Sequence, residues 1–336
     1  MRKIKLFILV SAIAFLGAAC TPGVGGVAGD GGVWFSLNRG ERWEQKVLIH
    51  ADGASRQTIN SLDFHKLVFS PQDSRKIFAL SAQGGLWISW NAGNNWDLII
   101  SASGVNDIAI HPTQPRTFYV AVGASIAKTE SDGDVFKAVY TNDQKLNEVA
   151  SLALNPANPA ILYAGTKNGQ VLVSENSGAS WREIAKLESA VEKLAIHPAK
   201  PDIMYAGISG RGLAQSTDKG KNWKFFEASE FRDFVLIPTG IIYASRHGLL
   251  RSLNQGQDWV NLPLISDKND SNIYSLAVNP KNPLEIFYGT RSTFYRSLDG
   301  GFNWIPRSLP TTRASLSILI NPDNQDMIYL GVGRVR

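Results

Sequence analysis

Two aspartates at equivalent positions are the residues best suited to acid–base chemistry in this sequence. Asp107 and Asp233 each stand five residues before a proline, at the start of a short apolar run. A pair of carboxylates facing one substrate can hydrolyse a glycosidic bond. Lysines occupy the corresponding positions before two other prolines, at Lys66 and Lys193. We therefore expect each aspartate to form an ion pair with the lysine of the preceding repeat, as a structural element of a wet channel.

A row of basic residues offers a different chemistry, the recognition of anionic groups. Arginine forms bidentate, charge-assisted hydrogen bonds with carboxylates, and lysine contributes a compact positive charge. The row follows the second apolar segment in successive repeats and comprises Lys167, Arg211, Arg246, Arg291 and Arg334. We predict that these five residues form a basic arc that binds an anionic ligand. Solvated loop tips that bind nothing are the alternative.

The first twenty residues have the pattern of an export signal. Three basic residues precede an uncharged apolar run over residues 6–19, which is shorter than the roughly 20 residues of a membrane-spanning helix. Cys20 follows directly, and the segment resembles a bacterial lipoprotein signal, with Gly17 where leucine is usual. We predict a signal peptide over residues 1–19, lipidation of Cys20, and anchoring to a cell-envelope membrane on its periplasmic or extracellular side. An ordinary signal that leaves an unmodified thiol is the alternative.

Composition restricts the classes of function. The chain has 336 residues, of which 44% are hydrophobic and 19% charged, and this is a globular composition. The formal net charge is +5, but without the three basic residues of the signal there are 31 Lys and Arg against 29 Asp and Glu. This balance argues against nucleic-acid binding, which needs a concentrated basic surface. One cysteine permits no intrachain disulfide, and with five histidines we expect no metal and no other cofactor.

An eight-residue motif, Ser-x-Asp/Asn-x-Gly-x-x-Trp, is repeated along the chain. Serine and Asp/Asn oxygens accept hydrogen bonds from nearby backbone amides, glycine adopts positive φ, and tryptophan covers the turn. The motif therefore predicts a series of similar turns, which we call box turns. They begin at Ser36, Ser89, Ser174, Ser216, Ser252 and Ser297, with a degraded seventh copy at Thr129.

The box residues resemble those of a known repeat. They are similar to the Asp-box, or BNR repeat, of sialidases and sortilin-like propellers, and the resemblance spans almost the whole chain after the signal. In those families the box is a structural hairpin away from the active site. The resemblance therefore implies a β-propeller and assigns no functional residue to this chain.

A second repeated element precedes the box turns and sets the number of blades. It is an apolar strand that ends at a proline, followed by a second strand. With the box turn and its flanking strands this gives four antiparallel strands, the content of one propeller blade. The aromatic residues of the boxes are 36 to 53 residues apart, which is a blade-sized period. The prolines are Pro71, Pro112, Pro156, Pro198, Pro238, Pro280 and Pro322.

The two ends of the chain complete each other. A box without preceding strands begins the repeats, and two strands without a box end them. The sequence thus predicts an all-β fold, a seven-bladed β-propeller over residues 33–336 that closes by pairing its N- and C-terminal strands. A glycine-rich tether over residues 20–32 precedes the propeller.

Loop composition indicates which face of the propeller could bind a ligand. The turns that contain the prolines are short, and the box turns satisfy their own polar groups. His111 and His197 align in these proline turns with Asn155, Asn279 and Asn321, so we expect turn residues and not metal ligands. By elimination, we expect the working surface on the opposite face, around the mouth of the channel.

Two classes of function fit these observations. The first is a non-enzymatic, monomeric binding or assembly module for a protein, peptide or glycan with anionic groups, since the resemblance includes sortilin and photosystem II assembly factors. The alternative is a sialidase-like or xyloglucan-hydrolase-like enzyme. The Arg-Ile-Pro tripeptide usual in sialidases is absent. The xyloglucan-active enzymes of this resemblance place their acids between two propellers, and the repeats here make one.

Overall fold

The repeats fold into a ring of seven sheets. The computed structural model describes residues 29–49, 57–143, 146–227, 230–245, 248–265 and 272–335, and within them it has 28 β-strands and no helix. The strands form seven sheets of four antiparallel strands each. The predicted all-β, seven-bladed propeller is therefore confirmed. The predicted signal peptide, Cys20 and most of the predicted tether lie outside the described residues.

The strands of each blade are named A to D from the channel outwards, because the A strands of neighbouring blades contact one another. The chain enters the ring through β1 (Val33–Ser36) and β2 (Glu44–Gln45). Blade 1 consists of β3 (Lys66–Ser70), β4 (Asp73–Ser81), β5 (Gly85–Ser89) and β6 (Asp97–Ile100). Blade 2 consists of β7 (Val105–Ile110), β8 (Phe118–Val122), β9 (Ser125–Thr129) and β10 (Lys137–Thr141). Blade 3 consists of β11 (Val149–Leu154), β12 (Leu162–Thr166), β13 (Gln170–Ser174) and β14 (Arg182–Lys186).

The second half of the ring repeats this order. Blade 4 consists of β15 (Val191–Ile196), β16 (Met204–Ile208), β17 (Gly212–Ser216) and β18 (Lys224–Glu227). Blade 5 consists of β19 (Phe231–Ile237), β20 (Gly240–Ser245), β21 (Gly248–Ser252) and β22 (Val260–Leu262). Blade 6 consists of β23 (Ser275–Asn279), β24 (Asn282–Gly289), β25 (Thr293–Ser297) and β26 (Ile305–Ser308). The chain ends with β27 (Ala314–Ile320) and β28 (Ile328–Gly333).

Blade 7 is built from both ends of the chain. Its strand order is β2-β1-β28-β27, so the C-terminal hairpin supplies strands A and B and the N-terminal segment supplies C and D. β1 and β28 pair antiparallel from Val33 opposite Gly331 to Ser36 opposite Ile328. The predicted closure by terminal strands is confirmed, and it pairs strand edges that would otherwise be open.

The seven box turns share one hydrogen-bond network. In each, the Ser or Thr hydroxyl accepts the amide of the glycine four residues later, at 2.7–3.1 Å. The side-chain oxygen at the third position accepts the amide four residues beyond it, at 2.8–3.0 Å. In blade 4, the backbone amide and side chain of Asn222, followed by the Ser216 hydroxyl, lower the pKa of Asp218 from 3.8 to about 2. The sequence pattern of the box is therefore a hydrogen-bonding pattern.

Each box turn places two successive residues at positive φ. The box glycines have φ between 82° and 96°, which suits glycine alone. The residue before the glycine also has positive φ, between 57° and 62° in six copies where it carries a side chain. In the blade 6 copy this position is Gly300, with φ of 79°. The turns with a side chain at this position therefore carry backbone strain that the blade 6 turn avoids.

Substitution of one box glycine tests this strain directly. A Cβ on Gly93 would lie 3.4 Å from Lys46 and Tyr329, an ordinary contact distance. Gly93→Ala is therefore expected to cost about 1–2 kcal/mol of unfolding free energy through its φ alone. Ala92→Gly, at the neighbouring strained position, is the matched control and should be neutral or stabilising. Urea denaturation measures the unfolding free energy of both variants. Equal destabilisation by the two changes would contradict the argument that positive φ favours glycine at these positions.

The core lies between blades and contains a repeated row of large side chains on strand B, aromatic in six of the seven blades. Burial of such a side chain contributes about 1.5–3 kcal/mol relative to leaving it exposed. Three of the tyrosines also join neighbouring blades. Their hydroxyls donate to the carbonyl that precedes the box glycine of the next blade, at 3.1–3.3 Å. The row consists of Phe78, Tyr119, Tyr163, Tyr205, Ile242, Phe287 and Tyr329.

The turns between strands A and B confirm the interpretation of the two histidines. Nδ1 of His111 accepts the amides of Thr113 and Gln114, at 3.3 and 3.0 Å. His197 accepts two amides in the same way, and so do the aligned asparagines. Burial lowers the pKa of both histidines. A neutral Nδ1 is what an acceptor requires, so these side chains complete turns.

Candidate functional site

The antiparallel order of the strands separates two faces of the ring. Box turns and A–B turns lie at one end of every blade, which we call the box face. The B–C hairpins and the connections from strand D to the next strand A lie at the other end, which we call the loop face. Strand A begins at the loop face, so Asp107 and Asp233 lie at that mouth of the channel. Lys167, Arg211 and Arg291 of the basic arc lie in B–C hairpins, and Arg334 directly follows strand B of blade 7, so these four residues belong to the same face.

Asp107 is held by three partners from three blades. One carboxylate oxygen accepts a hydrogen bond from the ammonium group of Lys66, in blade 1. The same oxygen accepts a hydrogen bond from the backbone amide of Ile108 at 2.7 Å. The other oxygen accepts the amide of Leu152, from blade 3, at 2.9 Å. The residue is only 5% exposed. The expected ion pair is confirmed, and both oxygens of the carboxylate are engaged.

Asp233 repeats the arrangement on the other side of the ring. Its carboxylate accepts Lys193 of blade 4 at 2.6 Å and the amide of Phe234 at 2.8 Å. Its second oxygen accepts the amide of Leu276, from blade 6, at 3.2 Å. Lys193 donates in addition to the carbonyl of Phe234, at 2.8 Å. This second expected ion pair is also confirmed, and both aspartates therefore act as ties between blades.

Serines at the equivalent positions, and Ser315 two residues before one of them, complete a belt around the channel mouth. Each of their contacts joins neighbouring blades, at 2.7–3.0 Å. Together with the two Lys–Asp ties, they connect every neighbouring pair of blades, including blade 7 to blade 1. The belt explains why these positions are polar although they lie against the core. The three contacts join Ser151 to Val191, Ser275 to Ser315, and Ser317 to Leu67.

A second chain of polar contacts lies one residue earlier and reaches the basic arc. A ring nitrogen of His65 lies 3.2 Å from the Asn106 carbonyl, and burial lowers the pKa of this histidine. The Asn106 side chain donates to the Val149 carbonyl at 2.9 Å and to Glu148 at 3.2 Å. Glu148 in turn pairs with Lys167 at 2.5 Å. The first member of the arc is thus attached to the channel mouth through blades 1 to 3.

The arc residues Lys167 and Arg211 are each positioned by a glutamate of a D–A connection. Lys167 pairs with Glu148, as above, and Arg211 pairs with Glu188 at 2.5 Å. The Arg211 guanidinium also lies 4.7 Å from the centre of the Phe225 ring. Both basic side chains remain about half exposed. An anion at either position would bind an oriented cation that already shares its charge with a carboxylate.

The other arc residues differ in their surroundings. Arg291 donates to the carbonyl of Val335 at 3.0 Å and is exposed. Arg334 is exposed on the same face. Arg246 lies outside the described residues. The structure therefore places four of the five predicted residues on the loop face, and their role in ligand binding stays a prediction.

One nearly buried charged group of the loop face was not singled out by the sequence analysis. Arg313 is 6% exposed and forms ion pairs with Asp30, at 3.3 Å, and with Asp63. Its guanidinium also donates to the carbonyls of Ser61 and Leu62, at 3.2 and 3.0 Å. Hydrogen bonds from Thr312, with weaker contributions from Thr311 and Arg313, lower the pKa of Asp30 to about 2. The cluster joins the segment before β1 to the start of β27 and to the connection before β3.

Metal ligands and membrane-spanning helices were searched for separately. Among the described residues, no group of three or more His, Cys, Asp or Glu side chains could hold a metal ion. Within the same ranges there is no helix long and apolar enough to cross a membrane.

Comparisons with known proteins place the fold without identifying a family. No family model matches the chain. It is 26% identical over 133 residues to a xyloglucanase of Hypocrea jecorina (strain QM6a), a match that covers 38% of this chain and 16% of that protein. The GH74 enzyme of Niastella koreensis has a similar structure, with a TM-score of 0.68 and 17% identity over 86% of this chain and 53% of that one. The chain thus spans about half the length of that enzyme.

A third relative is a shorter protein. The structure of YCF48 bound to D1 peptide gives a TM-score of 0.63 and 14% identity, and the match covers 81% of this chain and 94% of that one. At these identities the likeness of both solved structures shows the propeller fold alone.

Proposed function

We propose that this protein is a cell-envelope lipoprotein, anchored through Cys20, whose propeller binds a protein or peptide partner and performs no catalysis. The basic arc on the loop face is the observation that carries the proposal. Within the described residues, Lys167, Arg211, Arg291 and Arg334 are exposed on the loop face, on a frame tied together by the belt beneath. Loops on a rigid frame are the usual place for recognition, and arginine suits carboxylates on a partner.

The state of the two aspartates supports a binding role over hydrolysis. A glycosidase needs one carboxyl group that can donate a proton and a second that can reach the sugar or a water. Both oxygens of Asp107 and of Asp233 already accept hydrogen bonds from lysines or backbone amides. The similarity to the structure of YCF48 bound to D1 peptide, which covers 94% of YCF48, also supports a binding role.

Neutralising the arc tests the proposal. The triple change Lys167→Ala, Arg291→Ala and Arg334→Ala should weaken capture of the envelope partner about tenfold. The unfolding free energy should change by less than about 0.5 kcal/mol, since exposed loop positions contribute little to stability. Binding by the wild-type protein should also weaken with added salt, because exposed charges are screened over about 8 Å at physiological ionic strength. Affinity capture from envelope extract, quantified at equal bait, measures the effect.

The control removes the same charge from the other face. Arg42, Arg75 and Lys200 are exposed on or near the box face, and their replacement by alanine should leave capture unchanged. Equal loss in both triple variants would indicate a general charge effect. If the arc variant captures the partner as well as the wild type does, the arc does not bind the partner.

A glycoside hydrolase is the second candidate, favoured by the sequence match to a xyloglucanase. A reducing-end assay on a panel of xyloglucan and other oligosaccharides distinguishes the two functions. We expect no turnover. Turnover that disappears in Asp107→Asn or Asp233→Asn and persists in the arc variant would establish the hydrolase and overturn the binding proposal.

A further inference from the structure

A groove on the outer side of the ring lies between blades 3 and 4. Its volume is about 300 Å³, and its lining includes Lys186, Leu187, Arg211, Lys221, Trp223 and Phe225. Arg211 comes from a B–C hairpin on the loop face, and Lys221 comes from a box turn on the opposite face. The groove therefore runs along the rim from one face towards the other.

Two aromatic rings form the apolar part of the groove. Trp223 and Phe225 pack against the core between blades 3 and 4 and remain partly exposed. The indole N–H of Trp223 already donates to the Gly220 carbonyl at 2.8 Å. Trp223 therefore offers a ligand only its apolar surface, and Phe225 carries the Arg211 guanidinium on its ring.

The charges around these rings are mostly positive. Lys186, Arg211 and Lys221 are exposed. Glu188 is the acidic residue of the lining, and it is the ion-pair partner of Arg211. The lining thus carries an excess of two positive charges, and the two lysines come from different blades, Lys186 from blade 3 and Lys221 from blade 4.

The seven repeats provide an internal comparison, because every pair of neighbouring blades has the equivalent positions. Neither lysine position is basic in any other copy of the repeat. This pair of lysines is therefore particular to this groove and is not a consequence of the repeat. The position of Lys221 is occupied elsewhere by Glu41, Asn94, Asp134, Ala179, Gln257 and Phe302, and that of Lys186 by Leu48, Ser101, Thr141, Ala228, Leu264 and Leu309.

We propose that this groove binds a short acidic segment of a partner protein. One apolar or aromatic side chain packs between Trp223 and Phe225, and flanking carboxylates pair with Lys186, Lys221 and Arg211. The volume is at the lower end of the range for small-molecule sites, so it holds one anchoring side chain and not a folded domain. The inference rests on the proposed function, since it gives the binding protein a site for an acidic linear peptide.

The test uses a defined probe, fluorescein-labelled Glu-Glu-Phe-Glu-Glu, and fluorescence anisotropy. Lys186→Glu combined with Lys221→Glu should raise the Kd at least tenfold, because both flanking contacts become repulsive. The matched control, Lys137→Glu with Lys200→Glu, makes the same change of net charge at exposed lysines elsewhere and should stay within twofold of wild type. The peptide Lys-Lys-Phe-Lys-Lys should not bind.

The outcomes separate this inference from the function on which it rests. Equal weakening by groove and control variants, or binding of the lysine peptide, overturns the groove. Displacement of the acidic peptide by a xyloglucan oligosaccharide also overturns it, since the groove would then be a glycan site. Neither lysine of the groove variant belongs to the arc. If the groove variant loses peptide binding while the arc variant captures the partner as well as the wild type does, the result supports the groove and contradicts a binding role for the arc.

Discussion

A chain that ends at residue 312 is expected to remain unfolded. The truncation removes β27 and β28, which are strands A and B of blade 7, and leaves β1 without the partner to which it is paired over four residues. It also removes the buried side chains of Ile328, Tyr329, Leu330 and Val332. Each such burial contributes about 1.5–3 kcal/mol, and a folded domain is stable by only about 5–15 kcal/mol in total. Circular dichroism and size-exclusion chromatography measure the outcome.

A circular permutant is the matched control for this truncation. A chain that runs from residue 57 to residue 335, continues through a short Gly-Ser linker and ends with residues 29–49 retains every strand pair of the ring. Circular permutation is tolerated where the joined ends are adjacent, and Val33 lies opposite Gly331 in the β1–β28 pair. The permutant should fold and melt close to the wild type. A soluble, cooperatively melting truncated chain would contradict closure of the ring by these strands.

The seven-bladed ring could be predicted because the same sequence pattern occurs once in each blade. One Ser, Asx, Gly and Trp pattern recurs through the chain, and the structure shows that every copy forms the same two hydrogen bonds. The ion pairs of Asp107 and Asp233 could be predicted for the same reason, since each has a lysine at the same repeat position one blade earlier. A contact between equivalent positions of neighbouring blades is visible in an alignment of the sequence with itself.

The contacts that sequence reasoning missed are formed by segments outside the repeat. Glu148 and Glu188 lie in D–A connections, which differ in length from blade to blade, so nothing in the pattern pairs them with Lys167 and Arg211. The groove between blades 3 and 4 combines side chains from a D strand, a B–C hairpin and a box turn. The sequence alone does not show that Lys186, Arg211 and Lys221 line one groove, because that depends on how blades 3 and 4 pack.

The contacts that hold the blades together involve other residues than the exposed cations. The belt uses aspartates and serines to hold the A strands at the channel mouth, and it engages both Asp107 and Asp233. The exposed cations lie farther out, on hairpins and on the rim. Substitutions in the belt should therefore change stability, and substitutions in the arc or the groove should change binding. This separation makes the two kinds of experiment independent of each other.

Arg313 joins three segments that are distant in sequence. Its guanidinium pairs with Asp30, in the segment before β1, and with Asp63, in the connection before β3. It also donates to the carbonyls of Ser61 and Leu62. The planar, five-donor guanidinium can satisfy two carboxylates and two carbonyls together, and an ammonium group cannot reproduce that geometry. The cluster thus ties the end of blade 7 to the entrance of blade 1 by means other than strand pairing.

Arg313→Met is therefore expected to lower the unfolding free energy by about 3 kcal/mol, because it leaves two carboxylates without their cation and two carbonyls without donors. Arg313→Lys should keep the positive charge but lose the planar set of N–H donors, and should lower the unfolding free energy by about 1–2 kcal/mol. Arg75→Met is the control, since Arg75 is 74% exposed and, among the described residues, forms an ion pair only with its neighbour Asp73; it should leave the unfolding free energy nearly unchanged. Urea denaturation with a shared m-value measures all three. If Arg313→Met proves no more destabilising than Arg75→Met, the cluster has no part in closing the ring, and closure rests on the pairing of β1 with β28 and on the belt.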